Sequence, residues 1–198
     1  VERSRGLGDV YKRQVLIDIT KNAQIEMLDF KYKKCVGIRS YSPVPKIDKN
    51  KILEAAELIN NAKNPLIVWG QGVILGNAEK EFKNFVEKSG IPAAWTILGA
   101  SAIPTSHELN VGMVGMHGNY GPNILTNKCD LLIAIGMRFD DRVTGDTSTY
   151  AKQAKIIHLE IDPAEVNKNI KVDVPVIGNC KDSLRTVSYT HLTLPTIL

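Results

Sequence analysis

Residues 130–136 read DLLIAIG, and this run constrains the chain more than any other stretch. A strand with one wet face alternates apolar and polar residues. This one does not, so it is covered on both faces. PLIVW at 65–69 and AKIIHLEI at 154–161 have the same character, and 92–96 and 174–177 are weaker cases. VLIDI at 15–19 also reads as a strand. Helical patterns lie between the runs. Asp48 caps a helix carrying Ile52, Leu53, Ala56 and Ile59. Asn77 caps a second, with Phe82, Phe85 and Val86 on one face and Gly90 as its stop. A short helix is expected over 121–128, another over 164–168 behind Asp162-Pro163, and a last one opened by Asp182 or Ser183. Apolar strands alternating with helices predict an α/β fold: a Rossmann-like parallel sheet with helices on both faces.

In such a sheet, ligands lie beyond the carboxyl ends of the strands, near the switch in strand order. Four segments fall there: 70–72, 96–98, 136–142 and 160–162. Gly70-Gln71-Gly72 lets backbone approach a diphosphate, but the spacing to Gly76 is not that of the dinucleotide fingerprint, and a plain tight turn uses glycine equally well. The segment GMRFDDR, residues 136–142, carries two arginines and two aspartates within five residues. Arg138 has the geometry to fork onto a phosphate, with Asp140 and Asp141 orienting it; a solvated charged loop is the alternative. Glu160 ends its strand where an acidic side chain accepts from ribose hydroxyls, or is merely a terminal charge. His117 sits among Gly115, Met116 and Gly118. His107, His117 and His158 have no metal-ligand spacing. There is no G-K-[ST] phosphate loop and no G-x-S-x-G elbow. The residues therefore describe a nucleotide-binding module with no reacting group of its own.

The two ends stand apart from this pattern. Residues 9–14, DVYKRQ, can be encoded by an oligonucleotide whose opposite strand, read in another frame, gives Val-Ser-Tyr-Thr-His, which is residues 187–191. Both ends, 1–14 and 187–198, therefore read as non-native, adapter-like tails. Four basic and two acidic residues go with them, so the net charge falls from +4 to +2. That mild, scattered charge carries no nucleic-acid footprint. No window approaches the ~18–20 apolar residues of a membrane span. Three dispersed cysteines, Cys35, Cys129 and Cys180, make neither a disulfide framework nor a zinc site, and fit a reducing, cytoplasmic location.

GMHGNYGPNILTNKCDLLIAIGMRFDDRVTG, followed by AKIIHLEIDPAEVNKN, closely resembles the central domain of the acetolactate synthase catalytic subunit, a thiamine-diphosphate enzyme. The resemblance covers residues 15–186. It implies that 15–32 close a pyrimidine-binding domain, 33–47 form a linker, and 48–186 make up most of a central FAD-binding domain. It implies a parent that condenses two pyruvates, or pyruvate with 2-oxobutyrate, with loss of carbon dioxide in branched-chain amino-acid biosynthesis. Thiamine diphosphate and magnesium would be held by domains outside this chain, so the segment alone would be inactive. Partners would be 2-oxo acid substrates, a homodimer or homotetramer, and a regulatory small subunit, with neither nucleic acid nor membrane.

Carried over position by position, the resemblance places the flavin diphosphate at Gly70, Gln71 and Gly72. Thr96, Ile97, Leu98, Gly115, Met116, His117 and Gly118 would line the isoalloxazine and ribityl chain. Gly136, Met137, Arg138, Asp140, Arg142 and Val143 would hold the ribityl–diphosphate region. Glu160, Ile161, Glu165, Asn179 and Cys180 would hold the adenosine end. The chain departs from the family at Asn179, commonly acidic, and in TILGASAIP at 96–104. The alternatives are another thiamine-diphosphate enzyme acting on 2-oxo acids and a stand-alone nucleotide-binding module.

Overall fold

The computed structural model describes residues 18–34, 36 and 44–190. These fall in two units, divided between Tyr41 and Ser42. Of the first unit, the described part holds one helix, α1 (Lys21–Ile25), with no buried side chain. The strand expected over 15–19 lies mostly outside the described residues; Asp18 and Ile19 are not in a strand. The tail 1–14, residues 191–198 of the tail expected over 187–198, and most of the linker over 33–47 also lie outside them.

The second unit is a six-stranded sheet. Its elements are α2 (Lys49–Asn61), β1 (Pro65–Trp69), α3 (Gln71–Leu75), α4 (Glu79–Ser89), β2 (Ala93–Trp95), β3 (Asn110–Met113), α5 (Tyr120–Thr126), β4 (Leu131–Ile135), α6 (Asp141–Thr144), β5 (Lys155–Glu160), β6 (Val174–Ile177) and α7 (Cys180–Tyr189). The strand order is β3-β2-β1-β4-β5-β6, and every pair is parallel. The order therefore reverses between β1 and β4. Those two strands pair over their whole length, from Pro65 opposite Leu131 to Trp69 opposite Ile135.

β1, β2, β4 and β5 feed both faces. Ile67, Trp69, Ile133, Ile135, Ile157 and Leu159 pack with α2, α4 and α7. Leu66, Val68, Leu132, Ala134 and Ile156 point the other way, onto Cys129, Phe139, Tyr150, Ile170 and Val172. That second face is covered by short helices and irregular chain rather than by long helices. At the amino rim the Asp130 carboxylate accepts from the Lys63 and Asn64 amides, at 2.7 and 2.9 Å. This ties the start of β1 to β4.

Several expectations need correcting. Asp48 does cap α2, accepting from the Asn50 amide, but Leu53 is exposed and Ala55 takes the buried position. Asn77 caps nothing. It adopts φ +48, and Ala78 is the residue before α4. Asp162-Pro163 opens only the 3-10 turn Pro163–Glu165, because Asn167 turns to φ +59 and ends any helix through residue 168. Asn179, not Asp182 or Ser183, caps α7 by accepting from the Lys181 amide. That helix continues to Tyr189 with Val187 buried, three residues beyond the expected edge of the domain. α3 and β3 were not anticipated.

Candidate functional site

The reversal of strand order opens a crevice at the carboxyl rim. Three glycines shape its floor. Gly72 donates its amide to the Gly136 carbonyl at 2.8 Å, and Gly70 donates to the Ile135 carbonyl at 3.0 Å. A Cβ on Gly70 would lie 2.6 Å from the Gly136 oxygen, and one on Gly72 would lie 2.6 Å from the Gly136 Cα. Only hydrogen fits at these contacts, so the turns after β1 and β4 interlock backbone to backbone.

Above that floor is a cavity of about 470 Å³. Contributions to its lining follow the strand order across the whole sheet. Met113, Met116 and His117 come from the β3 end, and Thr96, Ile97 and Leu98 from the β2 end. Gly70, Gln71 and Gly72 come from β1, and Gly136, Met137, Arg138, Asp140, Arg142 and Val143 from β4. Glu160 and Ile161 come from β5, and Asn179 and Cys180 from the entrance to α7. Five inter-strand spacings of about 4.8 Å make a trough roughly 24 Å long. Leu75, Gly76, Met113 and Val114 also line it. Sequence reasoning missed these four; the period-2 alternation Leu109, Val111, Met113 was the signal for the strand that brings Met113.

Three expected residues lie away from the lining. Gly115, at φ +102, packs its Cα over the Arg142 carbonyl, and a Cβ there would lie 2.5 Å from that oxygen. Gly118 packs likewise against the Met113 carbonyl. Both are needed for close backbone approach behind the crevice. Glu165 is buried in the turn after β5, where one carboxylate oxygen accepts from Lys168 Nζ at 3.1 Å.

The charges are arranged unevenly along the trough. Asp140 caps α6 by accepting from the Arg142 amide at 3.1 Å, and its other oxygen lies 3.7 Å from Arg138. The Arg138 and Arg142 side chains are exposed over most of their surface, so these ion pairs add little stability and leave the guanidinium groups open to a ligand. Glu160 is buried instead. Its Oε1 accepts from the Ile161 and Asp162 amides at 2.9 and 3.2 Å. Burial raises its pKa above the ordinary value, against the pull of those two amides. Burial, with the Glu160 charge beside it, pushes the Cys180 thiol up to about 12, so it stays protonated and is not a nucleophile. Among the described residues no group of His, Cys, Asp and Glu could hold a metal ion.

His158 lies fully buried beneath Glu160. Its Nε2–H donates to the Met137 carbonyl at 2.9 Å, and Glu160 Oε2 is farther, at 3.7 Å. Burial lowers its pKa below 6.5, opposed by the Met137 bond and the charge of Glu165. The unfolded chain therefore takes up a proton near 6.5 that the folded chain refuses until lower pH. The stability owed to the neutral ring is complete above that value and is lost as pH falls through the lowered pKa. Urea midpoints of the wild type relative to His158→Gln should drop as pH falls below 6.5, with the Glu160 contribution common to both. A parallel pH dependence of the two proteins would contradict this.

A larger cavity, about 1040 Å³, opens at the opposite rim among Asn64, Pro92, Lys128 and Gln153. Several of its polar groups are already occupied. Gln153 Nε2 donates to the Thr126 and Cys129 carbonyls, and the amides of Lys63 and Asn64 are taken by Asp130. The carboxyl-rim trough is the better candidate.

Residues 52–187 match the family model described as thiamine pyrophosphate enzyme, central domain. The chain is 45% identical over 170 residues to the acetolactate synthase large subunit of Corynebacterium glutamicum, covering 86% of this chain and 27% of that protein. It is 41% identical over 174 residues to the probable acetolactate synthase large subunit of Methanocaldococcus jannaschii, covering 86% and 29%. Against the acetolactate synthase of Mycobacterium bovis, identity is 41% over 167 residues, 84% of this chain and 27% of the relative. The chain thus spans little more than a quarter of the curated relatives it matches. A parallel sheet with its reversal between β1 and β4, and a family match running from α2 into α7, place this chain in the thiamine pyrophosphate enzyme family, as a central domain.

Proposed function

We propose that this domain holds FAD across its carboxyl rim, within an acetolactate synthase that condenses two pyruvates, or pyruvate with 2-oxobutyrate, releasing carbon dioxide. The observation that carries this reading is the order of chemistries along the trough. Exposed apolar side chains, Ile97, Leu98 and Met116, stand at one end and suit a flavin ring. Interlocked glycines and two open arginines stand at the centre and suit a diphosphate. Glu160, held by two amides, stands toward the other end and suits ribose hydroxyls. The trough spans six strands, which fits a dinucleotide better than a mononucleotide.

In this reading the chain supplies binding rather than reaction. Arg138 and Arg142 neutralise the diphosphate. The Glu160 carboxylate fixes the adenosine end, and the apolar end excludes water from the ring. Thiamine diphosphate, with magnesium, would supply the carbon that adds to the 2-oxo acid, held by parts of the protein outside this segment. The relatives are named large subunits, and we extend to this protein a smaller regulatory partner and a homodimeric or homotetrameric assembly. Dispersed cysteines favour a cytoplasmic location, and among the described residues no helix is long and apolar enough to cross a membrane.

The test uses the full-length protein recovered with its flanking sequence. It should bind FAD with saturable quenching of flavin fluorescence and release carbon dioxide from pyruvate when thiamine diphosphate and magnesium are present. Arg138→Ala should weaken FAD binding by ~1.5–3 kcal/mol, the scale of a charged hydrogen bond. Unchanged affinity would remove Arg138 from the site, and a full-length protein with no affinity for FAD would overturn the assignment of the trough.

A further inference from the structure

We propose that His158 and Asn169 are positioning residues for Arg138: they hold, from beneath, the carbonyls on either side of it, so that the guanidinium is presented at the crevice mouth. This rests on the reading of the crevice as a dinucleotide site.

Past Gly136, whose amide still donates to the Leu159 carbonyl of β5, residues 137–139 have neither sheet pairing nor helical bonds before Asp140 caps α6. A backbone of that kind must find other partners for its buried carbonyls. It finds two. The Met137 carbonyl accepts from His158 Nε2 at 2.9 Å, and the Phe139 carbonyl accepts from Asn169 Nδ2 at 2.7 Å. The donors come from different elements: His158 from β5, and Asn169 from the connection between β5 and β6. The side chains on both sides are fixed as well. Met137 and Phe139 are buried, and the Phe139 ring meets His158 edge-on at 5.0 Å and Tyr150 at 6.2 Å. Arg138 alone turns outward, with its side chain 63% exposed.

The identity of residue 158 strengthens the case. A position at 0% exposure inside a parallel sheet is ordinarily aliphatic, as Ile156 and Leu159 are on the same strand. Histidine there leaves Nδ1 buried and without a partner, a cost no aliphatic residue would incur. The ring's one strong bond is the one to the Met137 carbonyl, so that bond is what the histidine contributes at this position. The consequence is that ligand affinity depends on two residues that need not touch the ligand.

The experiment uses trypsin on the whole chain, with cleavage sites mapped by mass spectrometry. Cutting at the Arg138–Phe139 bond reports release of the segment. Cutting at Lys83 and Lys88 in α4 reports opening of the whole sheet. His158→Leu removes the donor, whereas His158→Gln returns an amide N–H near the place of Nε2. Asn169→Ala removes the second donor from an exposed residue. Wild type and His158→Gln should resist cutting at Arg138, while His158→Leu and Asn169→Ala should be cut there about tenfold faster, with the α4 sites unchanged. If His158→Leu fails to fold, Asn169→Ala decides. Equal rates at Arg138 in wild type and Asn169→Ala, or a rise matched at Lys83 and Lys88, would overturn the proposal. In the full-length protein, FAD affinity should fall with His158→Leu and recover with His158→Gln. A wild type that binds no FAD would refute the reading of the crevice, while the cleavage pattern would still decide whether the two donors hold the segment.

Discussion

Gly136→Ala should collapse the stability of the second unit. Two costs coincide at this position. Gly136 has φ +55, a conformation that disfavours a side chain by roughly 1–2 kcal/mol. Its added Cβ would also lie 2.7 Å from the Gly72 Cα and 2.9 Å from Cys180 Sγ. The first obstacle is backbone and cannot rotate away, and such overpacking costs about 1–3 kcal/mol more. The comparison is Gly145, at φ +57, where a Cβ meets nothing within 4 Å. Alanine there should cost only backbone strain, on the order of 1–3 kcal/mol. Urea midpoints of the two variants, measured at equal slope, check the difference. Equal losses would mean that the turns after β1 and β4 can separate without penalty. The rim itself should also suffer, because displacing Gly136 moves the segment that presents Arg138.

Trp69→Ala should cost about 3–5 kcal/mol, the range for deleting a large aromatic side chain from a core. Trp69 is fully buried at the carboxyl end of β1, and its ring lies 5.0 Å from Phe82 of α4, centroid to centroid. Its indole N–H also donates to the buried Gly99 carbonyl at 2.7 Å, while its own carbonyl accepts from the Thr96 amide at 2.9 Å. One residue thus packs the core and anchors the turn that carries Ile97 and Leu98. Trp69→Phe keeps most of the ring contact and loses the indole bond, leaving the Gly99 oxygen only the long bond from the Ala102 amide at 3.4 Å, a loss of about 0.5–1.5 kcal/mol. Thermal or urea unfolding should rank wild type above Phe and Phe above Ala. A Phe variant as stable as wild type would show that the Ala102 amide alone satisfies the Gly99 oxygen.

These residues show why parts of the molecule are legible in the sequence and others are not. β1, β4 and β5 were readable because strands buried on both faces must be largely apolar, and β6 by its short apolar run, although only Val174 and Val176 of it are buried. β3 lies at the sheet edge, half-buried, with Asn110 and Gly112 among its four residues. It presents no such run, and a register shift opposite β2 breaks its period further. Asn77 misled because one short polar side chain suits both a helix cap and a left-handed turn. The strand-end rule located four segments of the trough. The segment with Met116 and His117, and that with Asn179 and Cys180, were given their place in it by family resemblance alone. Gly115 and Gly118 look like ligand glycines in sequence, since a backbone pressed against a neighbour and one pressed against a cofactor need the same missing methyl group. His158 and Glu160, two apart on β5, share a strand face by period alone, but the partner of the histidine, a carbonyl more than twenty residues earlier, has no trace in composition or period.

The pairing of Pro65 with Leu131 also sets the tempo of assembly. The two central strands are separated by the whole of β2, β3 and their connections, so joining them closes a long loop before any contact rewards it. A growing polypeptide can shape β1 to β3 early. The trough, however, has no second wall until β4 to β6 have emerged and docked. Any ligand of the trough is therefore captured late in biogenesis, once the whole sheet is threaded.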